Sequence, residues 1–375
     1  MTRILILTAG FGEGHNAAAR ALAAAFDRSA GRGTARIVDV FALASPRLNA
    51  VARRGYLRLI NDTPKLWSAV YGWIDRSDFV SRRLGVFRRE LRVLAALLAR
   101  ERPDAVCSTY PLYAFLLEAI ARAGGPVVPH YNIVTDSISI HSLWWRAACR
   151  GWFLPNDDSA AVLLRAGVDP ARVQVRGFPV PAFFAQNAAL FSPPDLSAGT
   201  VPRVLHIVHS GTRHAAATAR RLLGETDWEI TCAVGRDERL RAHLARLAAG
   251  RARRAAILGW TDRIPELLMT HHVVVSKAGG ATTQEAIAAL CPMIVSQIVP
   301  GQEEGNYELL RRHGAGLLAP TPDAVIAALR RAFADDGRIW RGWRAALQPL
   351  ARPDAADHIA RDILATLAHP LRSRP

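Results

Sequence analysis

Near its start the chain reads RILILTAGFGEGHNAAARAL, an apolar strand-like run, a glycine loop and then an alanine-rich helix. Gly10 and Gly12 match the first two positions of the dinucleotide fingerprint G-x-G-x-x-G, but the third falls on His15. Glycine there lets strand, helix and pyrophosphate approach closely; an imidazole obstructs that approach and offers acid–base chemistry instead. At a helix N-terminus the positive end of the helix favours neutral imidazole, which suits a general base for a hydroxyl near pH 7. Asp136, in VTDS after a buried-type strand, is expected to orient that histidine or align an acceptor. The turn-forming habit of aspartate explains it equally well.

A second group of residues lies between Val273 and Leu310. The strand VVVSK runs into Ala278, Gly279 and Gly280, and a helix is expected to open near Thr282 and Thr283. Backbone N–H groups and hydroxyls would then face an anion such as a diphosphate, with Lys277 beside them. Glu285, one turn in, suits ribose hydroxyls or simply the positive helix end. After the next strand, Gln302, Glu303, Glu304 and Asn306 group amides and carboxylates of the kind that read sugar hydroxyls or form a solvated acidic helix start.

These residues need strands to carry them. The first half predicts strands at Ile4–Thr8, Ala35–Val40, Ala105–Ser108, Val127–Val134 and Gly151–Leu154. The second half predicts them in RVLHIVHSG, DWEITCAVG, AAILGW, HHVVVSKAGG, CPMIVSQIV and AGLLAP. Strands alternating with helices specify an α/β class of doubly wound parallel sheets. The turn-rich stretch 187–202 divides residues 1–186 from a second domain at 203–335, and 336–375 reads as helical. Two such domains would leave a cleft between them.

The formal charge of +16 comes almost wholly from arginine, with Lys65 and Lys277 the two lysines. That balance favours anionic partners, but no nucleic-acid motif is present, so nucleic acid is set aside. About residues 46–95, Arg53, Arg54, Arg58, Lys65, Arg82, Arg83, Arg88 and Arg89 alternate with Tyr56, Trp67, Tyr71, Trp73, Phe79 and Phe87. Cations beside aromatic anchors suit an interfacial segment on an anionic membrane surface, or an insertion packing its aromatics inward. Cys107, Cys149, Cys232 and Cys291 stand singly, and neither a disulfide nor a metal site is expected. With no apolar run of about 20 residues and no signal segment, the expectation is a cytoplasmic chain, peripheral on the inner face of the membrane.

The pair SKAGGATTQEA and PGQEEGN, with TAGFGEGHNAAARAL, IVTDSISIHSLWWRAACRGWFLPND and ILGWTDRIPELL in order, resembles glycosyltransferase family 28. Within that family the likeness is to the monogalactosyldiacylglycerol synthase and processive diacylglycerol glycosyltransferase group. The resemblance implies a GT-B fold and an inverting transfer of a hexose from a UDP-sugar to a lipid hydroxyl, without cofactor or metal. It implies His15 and Asp136 as catalytic residues and Gly12, Gly14 and His141 on the acceptor side. On the donor side it implies Gly259, Trp260, Lys277, Ala278, Gly279, Gly280, Thr282, Thr283, Glu285, Gln302, Glu303 and Asn306. Where the family has a glycine-rich loop opening the second domain, this chain has HSGTRH, and Arg213 is expected to take over diphosphate contact. Three readings stay open beside transfer. They are a nucleotide-sugar-binding protein without turnover, a UDP-sugar epimerase, and an NAD-dependent oxidoreductase using Asp39 as ribose reader.

Overall fold

A computed structural model describes residues 2–368 apart from 11, 64–68, 70–71, 74, 78–79, 81–82, 198, 210–213, 300 and 302; the side chains of 53 and 56–62 are also outside the description. Arg213 and Gln302, and Lys65, Trp67, Tyr71, Phe79 and Arg82 of the basic segment, therefore lie outside the described residues.

The first unit comprises Met1–Ala182, Pro300–Gln302 and Arg352–Pro375. It runs β1 (Ile4–Leu7), α1 (Glu13–Ala30), β2 (Ala35–Val38), α2 (Val40–Ala44), α3 (Pro46–Asp62), α4 (Arg88–Glu101), β3 (Ala105–Ser108), α5 (Leu112–Arg122), β4 (His130–Ile133), β5 (Gly151–Leu154), α6 (Asp157–Arg165) and β6 (Val173–Val175). All its strands pair in parallel in the order β2-β1-β3-β4-β5-β6. Strands β1, β3, β4 and β5 are buried along their whole length, because helices cover both faces of the sheet. Helix α1 presents Ala18, Ala21, Leu22, Ala25 and Phe26 to this core, and its run of small residues lets it lie close to the sheet.

The second unit, Phe183–Val299 and Glu303–Ala351, begins with α7 (Phe183–Gln186) and continues β7 (Arg203–Ile207), α8 (Ala215–Glu225), β8 (Glu229–Ala233), α9 (Glu238–Ala249), β9 (Ala255–Leu258), α10 (Ile264–Thr270), β10 (Val273–Lys277), α11 (Gly280–Ala288), β11 (Met293–Gln297), α12 (Glu304–Arg312), β12 (Gly316–Leu318) and α13 (Pro322–Leu347). Its parallel sheet has the order β12-β11-β10-β7-β8-β9. The chain then returns to the first unit as α14 (Ala355–Ala368), whose Ile359, Ala360 and Ile363 join the core under α1. Gly177 makes that return possible. At φ +99° it adopts a conformation open to glycine, and a Cβ there would sit 2.5 Å from Arg352 Cβ.

Several expected boundaries move. Strand β2 stops at Val38 because Asp39 caps α2, accepting the Ala42 N–H at 2.9 Å. The strand expected from Val127 starts at His130; Pro129 lacks an N–H for the ladder, although its carbonyl accepts from Val106. Residues 192–202 are less a free linker than a strap on the second unit: Leu196 is buried in its core and the Pro194 carbonyl pairs with His272 Nε2 at 2.8 Å. By contacts the first division falls after Ala182, and residues 336–351 pack with the second unit. In α13, Ala334–Gly337 depart from helical geometry, so the backbone breaks at the residue where the second domain was expected to end. All four cysteines are buried and free. Among the described residues no helix is long and apolar enough to cross a membrane.

Candidate active site

In each sheet the strand order reverses once, between β1 and β3 and between β7 and β10. Loops diverge at such a point and leave room outside the strand C-termini, which is where α/β sheets bind ligands. Both groups of chemically equipped residues fall there.

In the first unit, the loop after β1 is pinned by Asp39, which accepts from Gly10 N at 2.9 Å with one oxygen and caps α2 with the other. Both oxygens thus already hold the backbone, which gives Asp39 a structural role at this loop. Gly12 caps α1 and Gly14 lies in its first turn with His15. The His15 Nδ1 atom is 2.9 Å from Thr135 Oγ1, and the ring stands edge-on to Tyr110 at 5.2 Å. Burial lowers its pKa to about 4, with the Thr109 backbone pulling the other way. The imidazole is therefore neutral near pH 7, as the sequence suggests, though burial rather than the helix end is the main cause. A Cβ added at Gly12 would lie 3.5 Å from His15 Cδ2 and 3.8 Å from Nε2, in ordinary van der Waals contact with the ring.

Asp136 does not hold His15; Thr135 does. The Asp136 carboxylate accepts the Trp144 Nε1–H at 2.6 Å. Burial pushes its pKa up to about 6, against that hydrogen bond. His141 is buried, and its Nδ1 accepts the Leu143 N–H at 3.2 Å to cap the Ser142–Trp144 turn.

In the second unit α11 opens at Gly280, two residues earlier than Thr282, with Gly279 as an N-cap that supplies no side-chain bond. The N–H groups of Gly280, Ala281 and Thr282 thus have no intrahelical partner. The Thr283 hydroxyl turns away from the helix end and points at Met293 Sδ, 3.8 Å away in β11. Glu285 lies in the second turn, half-buried. Two residues of PGQEEGN, Glu303 and Asn306, act on the KAGG loop itself. Glu303 accepts from Lys277 Nζ at 2.5 Å and from Val299 N at 3.0 Å, while Asn306 Nδ2 donates to the Ala278 carbonyl at 2.9 Å. Glu303 is thereby tied to the loop instead of standing free for sugar hydroxyls. Asn306 Oδ1 is buried without a partner. His209, 3.0 Å from Ser276 Oγ, is held near a pKa of about 3 by burial and by Lys277, so it adds no positive charge. Lys277 is the described cation at this loop. Gly259 and Trp260 follow edge strand β9, three strand spacings or about 14 Å from β10. Trp260 is 69% exposed.

Thr135 was not singled out by sequence. It is the immediate neighbour of Asp136 in VTDS, and the charged member of the pair drew the assignment.

The monogalactosyldiacylglycerol (MGDG) synthase family model matches residues 15–180. A processive diacylglycerol beta-glucosyltransferase of Bacillus cereus (strain AH187) is 26% identical over 373 residues, covering 97% of this chain and 93% of that protein. A protein of the same name from Bacillus anthracis (strain A0248) is 26% identical over 375 residues, with the same coverage. Among solved structures, Acinetobacter baumannii MurG aligns with a TM-score of 0.63 at 13% identity, over 97% of this chain and 100% of that one. The S. aureus MnaA–UDP co-structure aligns at 0.62 and 14%, over 100% and 99%. These likenesses establish the fold, α/β with two Rossmann-like sheets of GT-B type. Residues 15–180 thus match the monogalactosyldiacylglycerol synthase family model, and over nearly its whole length the chain is similar to processive diacylglycerol beta-glucosyltransferases.

Proposed function

We propose that the chain is a hexosyltransferase that moves a sugar from a UDP-sugar to a hydroxyl of diacylglycerol or a glycolipid, with inversion at the anomeric carbon. The observation that carries the reading is a neutral His15, fixed through Nδ1 by Thr135, at the switch point of a unit that matches this family's model. With Nδ1–H donating to Thr135, the Nε2 lone pair accepts the proton of the acceptor hydroxyl. The acceptor oxygen forms its bond to the anomeric carbon from the face opposite UDP. The carbon–oxygen bond to UDP breaks, and its electron pair leaves on the β-phosphate oxygen. Negative charge gathering there is stabilised by the open N–H groups of α11 and by Lys277, with Arg213 as a further cation. Glu285, Gln302, Gly259 and Trp260 serve the nucleoside and sugar of the donor, and Gly12 and Gly14 the acceptor. No cofactor or metal enters these steps.

The test is direct. Purified chain incubated with a panel of UDP-sugars and diacylglycerol should yield a lipid heavier by one hexose in mass spectrometry. UDP binding without any glycolipid would favour a nucleotide-sugar-binding protein without turnover. Isomerised UDP-sugar in the absence of lipid would favour an epimerase.

The lipid must be met at a surface, and the basic segment is proposed to supply the contact at the inner face of the cytoplasmic membrane. Leu48, Val51, Trp73 and Val86 are exposed there, as are Arg47, Arg54, Arg83, Arg88 and Arg89. Phe87 is not one of the anchors; it packs against Phe41 at 6.1 Å. Charge and insertion together predict binding to anionic vesicles that weakens as salt rises. Changing Arg83, Arg88 and Arg89 to glutamine should release the chain in vesicle sedimentation, and equal sedimentation with neutral and acidic lipid would remove the electrostatic contribution.

A further inference from the structure

Trp144 occupies one turn of 3-10 helix, Ser142–Trp144, and is fully buried. Its carbonyl accepts two hydrogen bonds, from Asn132 Nδ2 at 3.1 Å and Trp152 Nε1 at 2.7 Å. Asn132 Oδ1 in turn accepts from Ser108 Oγ at 2.7 Å, and Ser108 Oγ is 2.8 Å from His130 Nε2. The backbone of Trp144 is thus anchored to β3, β4 and β5 together. A tryptophan kept only for packing needs any acceptor for its ring N–H, and here the acceptor is the Asp136 carboxylate, with the indole 6.5 Å from the His15 ring. The turn is also clasped from the basic segment. Ser142 N donates to Asp75 Oδ1 at 2.6 Å, Ser142 Oγ to the Asp75 carbonyl at 2.7 Å, and the Arg146 guanidinium to the Ser77 carbonyl at 2.6 Å.

We propose that Trp144 is a positioning residue whose indole N–H fixes the Asp136 carboxylate in one orientation beside the His15–Thr135 pair, while Asp75 holds the turn that carries it. The inference rests on the reading of this site as a transferase centre in which Asp136 works ionised, countering the positive charge that His15 acquires. A charge-assisted hydrogen bond of this length favours the ionised carboxylate. Burial opposes it, leaving the pKa at about 6. The other titratable groups around the turn are His15 from α1, Tyr110 after β3, which senses both Asp39 and Asp136, and His141 with Asp75 at 3.4 Å. His15, kept neutral by burial, and the Tyr110 phenol supply no cation in place of the indole N–H.

The experiment is kcat against pH on the full chain, comparing wild type, Asp136→Asn, Trp144→Phe, and a protein with benzothienylalanine at position 144, which keeps the indole shape and lacks the N–H. Wild type should lose turnover below about pH 6, and Asp136→Asn should lose it at every pH. Both changes at Trp144 should move that acid limb upward by about one pH unit, with KM for the UDP-sugar unchanged. Asp75→Ala should move it in the same direction; an unmoved limb removes Asp75 from the proposal. If Trp144→Phe does not fold, the isosteric side chain decides alone. An acid limb unchanged in the benzothienylalanine protein, beside an inactive Asp136→Asn, overturns the positioning role and leaves the reading of Asp136 standing. Full turnover in Asp136→Asn sinks that reading and the proposal with it.

Discussion

His15→Ala is expected to lower turnover by on the order of 10²- to 10⁴-fold while leaving UDP affinity close to wild type. The first half of this expectation comes from the loss of the proton acceptor in the bond-forming step. The second comes from the donor residues lying in the other unit, at the start of α11. Glu285→Ala should show the opposite split, with weaker UDP binding and a smaller loss at saturating donor. The pH dependence follows from the depressed pKa. A histidine that protonates at about 4 is neutral across pH 5 to 8, so the rate over that range should not track its titration. Loss of rate near pH 6 should follow Asp136, whose carboxyl titrates at about 6. If His15 merely caps α1, the alanine protein will melt earlier and turn over normally per folded molecule. If it merely binds the acceptor head group, saturating lipid will restore the rate. Near-normal turnover at saturating acceptor would end the base assignment.

What the sequence disclosed here, and what it withheld, divides along the range of the interactions. Apolar runs covered on both faces write their own signature, and so β1, β3 and β5 and the six strands of the second unit were legible. Strand β6 was not, because three half-buried residues leave neither an apolar run nor a clear alternation. The glycine loop and His15 were legible because their neighbours in the chain define the helix start. The ties of Glu303 and Asn306 were not. Their partners, Lys277 and Ala278, lie more than twenty residues earlier, and only strand order brings β10 beside β11 and thus the two loops together. A carboxylate beside a sugar-binding motif looks like a reader of hydroxyls until its lysine is found. Asp136 and Trp144 present the same case at closer range. Eight residues separate them, but the contact depends on a turn whose cap, His141, looked like a ligand.

The largest stability effect is expected on mild acidification, and it comes from histidines outside the proposed chemistry. His130 and His206 titrate at about 3 and 4, and His271 at about 4, each lowered chiefly by burial. The structure gives the reason for each. His130 Nδ1 and His206 Nδ1 are buried without a hydrogen-bond partner, so a proton added there would find no acceptor. The His271 ring is spent on the Leu267 carbonyl and the Thr231 hydroxyl. Above pH 6.5 these rings are neutral folded and unfolded, and they contribute no pH dependence. Below it the unfolded chain takes up protons that the folded chain refuses, so stability falls until the folded pKa is reached. Each group costs up to about 1.4 kcal/mol per pH unit in that window, and three together about 4 kcal/mol between pH 7 and 5.5. His15 and His209 act in the same direction. Asp136 acts in the other, since its raised pKa lets the folded state bind a proton first, but it is one group against five. The depressed carboxylates Glu101, Glu225 and Glu308 release their contribution only near and below their ordinary range, at more acid pH. Against a net stability of roughly 5–15 kcal/mol, the histidine contribution alone should lower the melting temperature steeply between pH 7 and 5.5. Urea unfolding at pH 7.0, 6.25 and 5.5 checks the sign and size. The slope should flatten by about one proton in His130→Asn, and a stability that holds steady or rises over that range would show that these rings accept protons in the folded state.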